Sequence, residues 1–139
     1  MDFTFTTYHK LLNALQSQGF LFYTVSAYMA GGAKTKAGMV HTGGVAGHSG
    51  RAIILRHDVE ARYGNALKMA KLQHKLGIRG TYYFRIFPGR GNEAVIREIV
   101  GMGHEIGYHY DDLSACRGDY EKALQRFQKN LAYLRRLRP

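Results

Sequence analysis

Apolar positions along this chain alternate between a helical spacing of three or four and short unbroken runs, with glycine between blocks. Tyr8, Leu11, Leu12 and Leu15 share one face of a helix over 7–18 that Gly19 stops. The run "FLFYTV" at 20–25 has strand length, and a short helical turn is expected around Ser26–Ala30. Seven glycines between 31 and 50 predict an exposed loop.

"RAIILRHDV", 51–59, reads as a buried strand ending in polar residues. Ala66, Met69, Leu72 and Leu76 mark a helix over 61–76, ended by Gly77. "RGTYYFRIF", 79–87, is rich in aromatic and β-branched residues and predicts the next strand. After the turn "FPGRGNE", Asn92 caps a helix carrying Val95, Ile99 and Met102, stopped at Gly101–Gly103. "HEIGYH", 104–109, is a third strand. Asp119 then caps a last helix with Tyr120, Leu124, Phe127, Leu131 and Leu134 as its apolar stripe.

Strands alternating with helices imply βαβ units and a parallel sheet, open or closed into a barrel. The last helix is followed by Pro139, where the pattern calls for another strand. Closed eight-stranded barrels usually need about 200 residues or more, so 139 residues are expected to form one domain that is the first part of a larger unit.

Composition narrows the class. Hydrophobic residues make up 45%, including 17 Tyr and Phe, which favours a packed core over disorder. No apolar run approaches membrane-span length and the start lacks the order of a secretory signal, so a cytoplasmic protein is expected. The single cysteine, Cys116, allows no internal disulfide and reads as a bystander thiol. Twenty Lys and Arg against ten acids give +10, which raises a nucleic-acid reading. No nucleic-acid module is spelled out, and the cations concentrated at 117–138 lie mostly off the apolar stripe, as on a solvated helix face.

Parallel α/β sheets place their sites at the carboxyl ends of the strands. Those ends read His57-Asp58-Val59-Glu60, Phe84-Arg85 and Tyr108-His109-Tyr110-Asp111-Asp112. The rule brings Asp58 and His109 to one rim although 51 positions separate them. An imidazole with carboxylates suits Zn²⁺ or a similar divalent cation; a hydrogen-bonded His–Asp pair without metal is the plainer alternative. His104 begins its strand away from the rim and reads as structural, while Glu105 is expected to face a helix or solvent. His9 and His74 fall on helices, and His41 and His48 in the glycine-rich stretch make a weak metal signal. "GMGHEI" and "GHSGR" fail as dinucleotide and nucleophile-elbow motifs, and no phosphate-cradling P-loop is present.

Taken together, "ILRHDVE", "GIRGTYYFRI" and "GMGHEIGYHYDDL" resemble the polysaccharide deacetylase family (carbohydrate esterase family 4), in its divergent branch with R-H-D-V-[DE] as first motif. The resemblance spans roughly 51–137. It implies an α/β fold of parallel (β/α) units forming a distorted, here incomplete, deacetylase-like barrel. The implied activity is removal of acetyl groups from N-acetylated sugars with a divalent metal, usually zinc. Matched to the family motifs, His57 stands at the catalytic-base position, and Asp58 and His109 at metal-ligand positions. The family's second metal-binding histidine falls on Leu113, so Asp112 is expected to supply the third ligand, with Asp111 and then Glu60 as substitutes. The family motifs that complete the active site come later in its pattern than this chain reaches, so these residues alone are expected to be inactive. A non-catalytic carbohydrate-binding or assembly module on the same fold is the alternative, and a basic nucleic-acid binder the lesser one. Open strand edges favour self-association of the isolated chain, measurable by sedimentation; a sharply monomeric species would count against it.

Overall fold

The computed structural model describes residues 3–30, 51–87 and 92–137. The glycine-rich stretch 31–50, with His41 and His48, lies outside them. Helix α1 (Phe5–Ser17) starts where the Thr4 hydroxyl accepts from the Thr7 amide and is followed by strand β1 (Leu21–Tyr23). A short helix α2 (Val25–Met29) comes next, capped by Thr24, two residues inside the strand that the apolar run at 20–25 predicted.

The expected single strand at 51–59 is divided into β2 (Ala52–Ile54) and β3 (Arg56–Val59). The cause is a change of partner at Leu55: β2 pairs in parallel with β1, whereas β3 pairs in parallel with β4 (Thr81–Phe84). Between β3 and β4 runs α3 (Tyr63–Lys75), and α4 (Glu93–Gly101) leads to β5 (Glu105–Tyr108). Gly77 and Gly103, at the ends of those two connections, have φ of +69° and +84°, a conformation that glycine adopts without strain. A four-residue helix α5 (Asp112–Ala115), absent from the sequence pattern, precedes α6 (Tyr120–Arg135). The described architecture is therefore α/β with two small parallel sheets, β1-β2 and β3-β4-β5, and no closed barrel among the described residues. No helix there is long and apolar enough to cross a membrane.

Strand alternation divides the three-stranded sheet into two unlike faces. His57, Val59, Tyr82, Phe84, Ile106 and Tyr108 share the face that packs against α3, α4 and α6, where most of the core lies. A second cluster joins Tyr8 and Leu12 of α1 to Ile78, with Leu55, Met69 and Leu72 packed against it. Helix α3 thus serves both clusters, which is why its buried stripe runs Tyr63, Ala66, Ala70, Gln73 and not along the expected Met69–Leu76 face alone. On α6 the expected stripe is corrected at its start. Tyr120 and Leu124 are exposed, and the helix is turned to bury Ala123, Asn130 and Leu134. Asn130 Nδ2 donating to Tyr108 Oη at 2.7 Å and Arg126 bonded to Asp112 anchor it in that rotation.

The opposite face carries Arg56, Asp58, Thr81, Tyr83, Glu105 and Gly107. Helix α2 covers its lower end. The Val25 amide donates to Thr81 Oγ1 at 2.9 Å, and the Ser26 amide to Glu105 Oε2 at 3.1 Å. Burial opposes ionisation of Glu105, but hydrogen bonds from Thr81 and Ser26 outweigh it and hold the carboxyl below its ordinary range. Higher up, the Tyr83 ring packs close against Gly107, where a Cβ would stand 2.5 Å from Tyr83 Cε1. Gly107→Ala is therefore expected to destabilise the fold by roughly 1–3 kcal/mol through overpacking. In urea titrations most of that loss should disappear when Tyr83→Ala is combined with it; equal losses in both backgrounds would sink the steric explanation.

Candidate functional site

The parallel register decides which side chains reach the carboxyl rim together. Asp58, Tyr83 and Gly107 occupy one step of the ladder. The next step on the same face is Glu60, Arg85 and His109, carried forward by the Arg85 amide bonded to Val59 O at 3.0 Å and the His109 amide bonded to Phe84 O at 2.9 Å. His109 Nε2 consequently lies 3.7 Å from Asp58 Oδ2 and 3.9 Å from Glu60 Oε1. Two buried side-chain nitrogens in the described part of the chain lack a hydrogen-bond partner, Arg85 Nε and His109 Nδ1, and both belong to this rim. Buried donors are rarely left unpaired, and a pair of them at a strand-end rim points to a site.

Arginine accompanies three of the four carboxylates considered for metal binding. Arg56 reaches both oxygens of Asp58, at 2.9 and 3.3 Å, and stacks over the Tyr83 ring. Arg85 Nη2 donates to Asp111 Oδ2. Arg126 Nε donates to Asp112 Oδ1 at 2.9 Å, while its Nη2 lies 3.6 Å from Asp111. Asp112, only 3% exposed, also accepts from Tyr108 Oη at 3.0 Å, and Tyr108 faces the helices. Asp112 is thus drawn into the helix layer as a structural anion. The oxygen beside His109 and Asp58 comes instead from Glu60, which ranks last by motif position.

His57 is separated from the rim. It shares its strand face with Tyr82 and Ile106, opposite to Asp58, and its ring stacks on Tyr82 with centroids 4.5 Å apart. Gln73 organises this environment. Its Nε2 donates to Tyr8 Oη and to His57 Nε2, each at 2.7 Å, and its Oε1 accepts from Tyr82 Oη at 2.8 Å. A ring nitrogen that accepts from an amide is unprotonated, so His57 is the neutral Nδ1–H tautomer. Desolvation, with the nearby His104 adding to it, lowers its pKa to about 4. The expected base position is thus filled by a half-buried histidine turned away from Asp58 and His109, and its placement lends a base role no support. His104 is structural: Gly80 N donates to its Nδ1 at 3.1 Å and its Nε2 donates to Ala70 O at 3.0 Å.

Donor chemistry at the rim suits a divalent cation, with one imidazole nitrogen and two carboxylates within 4 Å of it. The solvent-facing Arg56–Asp58 pair is the exposed kind that a divalent ion can displace. Among the described residues no group of three or more His, Cys, Asp or Glu side chains is already disposed to hold a metal. Asp58, His109 and Glu60 are the donors nearest one another at the rim but are not preorganised around a metal, and Asp112 lies apart in the helix layer. Sequence spacing assigns no role to Arg126 or Gln73 and gives Arg85 only as a strand-end residue. Arg85 was accessible in principle by counting one register step from His109, whereas the partners of Arg126 and Gln73 lie on other elements. No protein-family model, curated protein or solved structure matches the chain.

The His57 environment makes an acid-stability prediction. A folded pKa of about 4 against an ordinary value of 6.5 means the unfolded chain takes the proton first. Stability is then full above pH 6.5 and declines toward about pH 4, by at most about 3 kcal/mol from this group. Burial lowers the pKa of His104 as well, adding to the same limb. His57→Gln should flatten the decline in urea titrations across this range; an unchanged slope would contradict the assignment.

Proposed function

We infer that the β3–β5 rim is the metal-binding edge of a polysaccharide deacetylase-like hydrolase acting on N-acetylated sugars, and that the parallel units belong to a distorted (β/α) barrel of that kind. The single observation carrying this reading is the approach of His109 Nε2 to Asp58 and Glu60, at a rim with two buried, unpartnered nitrogens. The motif resemblance, "RHDVE" with "GHEIGYH", independently names Asp58 and His109.

Asp58, His109 and Glu60 would hold the divalent metal, zinc being the best match to one nitrogen with carboxylate oxygens. When bound, such an ion polarises an acyl carbonyl and lowers the pKa of a water toward neutrality. The chain's own residues prepare that edge. His109 is only 23% exposed in its side chain, so solvent competes weakly for its Nε2. Arg56 braces the Asp58 carboxylate through both of its oxygens. Arg85, fixed through Asp111, presents a buried Nε–H that can donate to a carbonyl or hydroxyl oxygen at the rim. The exposed Tyr110 supplies a ring face of the kind that packs against sugars.

A thermal and urea melt with zinc and with chelator tests the reading. Zinc at about 100 times its Kd should stabilise the parent by about 2.7 kcal/mol. Asp58→Ala and His109→Ala should abolish the shift while leaving the chelator baseline folded. Asp112→Ala should behave oppositely, losing roughly 2–4 kcal/mol by stranding Arg126 and Tyr108 yet keeping the zinc response. A cooperative melt indifferent to zinc would favour the non-catalytic carbohydrate-binding module.

A further inference from the structure

Beyond the rim, Ile86 and Phe87 leave β4 opposite α6, and a cavity of about 500 Å³ lies between them. Lys122, Gln125, Arg126, Lys129 and Asn130 line its helical side. Positions 122, 126 and 129 follow helical spacing, so their cations form one stripe facing the cavity. Their charges are not equivalent. Arg126 is neutralised by Asp112 at 2.9 Å and Asp111 at 3.6 Å, and Lys122 by Asp119 at 2.7 Å. Lys129 has no ion-pair partner among the described residues, so it supplies the uncompensated charge.

The remaining lining has different chemistry. Gln125 offers an exposed amide, and Asn130 a buried one whose Nδ2 is already committed to Tyr108 Oη. Phe87, over which Arg85 lies at 5.3 Å, contributes an aromatic ring. An ammonium group suits an oxyanion, and amides suit hydroxyls. Arg126 also connects the cavity to the rim, because Asp111, near its Nη2, is the acceptor of Arg85.

We propose that this cavity binds an anionic sugar unit, one whose ring carries a carboxylate or a phosphate. The proposal deepens the deacetylase-like reading by naming a substrate class, and it rests on that reading only for the choice of a sugar as the carrier of the charge. The competing description, cations on a solvated helix face, predicts no preference among anions and no need for a ring.

The test titrates the full chain, by calorimetry at fixed ionic strength, with glucuronate, glucose 6-phosphate, inorganic phosphate and glucose. Each titration is run with chelator and again with zinc. The charged sugars should bind at least about tenfold tighter than glucose, and Lys129→Ala should lose about tenfold while Lys129→Arg retains most of the affinity. Whichever charged sugar binds tighter identifies the source of the oxyanion. Inorganic phosphate binding as well as glucose 6-phosphate would overturn recognition of a sugar, and an unaffected Lys129→Ala would overturn the site. Sugar binding that depends on Lys129 without any zinc response would remove the metal reading and keep this one. A zinc response with no charged-sugar preference would do the reverse.

Discussion

The in-register parallel pairing of β3, β4 and β5 is the constraint on which the rest of the molecule depends. It sets His57 beside Tyr82 and Ile106, and Asp58 beside Tyr83 and Gly107, so adjacent residues of one motif are sent to opposite faces. Extending the ladder by one step brings Glu60, Arg85 and His109 together. A slip of one residue in β3 would exchange a half-buried histidine for an exposed aspartate and destroy both the core and the rim. The close approach of Tyr83 to Gly107 and the stack of His57 on Tyr82 each oppose such a slip.

At the rim, cations are paired with carboxylates. The arginines nearest the rim each meet a carboxylate: Arg56 with Asp58, Arg85 with Asp111, Arg126 with Asp112. Exposed pairs such as the first add little stability, whereas the Asp112 anion, enclosed by Tyr108 and Arg126, ties α5, α6 and β5 together. Lys129, beside a concave space, has no ion-pair partner among the described residues.

The buried amide of Gln73 plays the corresponding part under the sheet. By joining Tyr8 of α1, His57 of β3 and Tyr82 of β4, it satisfies polar groups from three elements at once. A network satisfied in this way favours one arrangement of the packed elements over others, because any shift leaves a buried group unpaired.

Local chemistry alone determined much of this protein. Helical periodicity, the Asp119 cap and glycine stops located α1, α3, α4 and α6, and β-rich runs ended by polar residues located β3 to β5. The strand-end rule already put Asp58 and His109 on one rim, since parallel strands separated by helices all point the same way. What spacing could not resolve was anything set by a partner distant in sequence. The break at Leu55 follows from β1 and β4 claiming different halves of one strand. The anchoring of His57 beneath the sheet follows from Gln73, and the diversion of Asp112 from Arg126 and Tyr108. Periodicity and capping are properties of a few neighbouring residues and survive in the sequence, but hydrogen bonds and ion pairs across elements exist only once the sheet has set their distance.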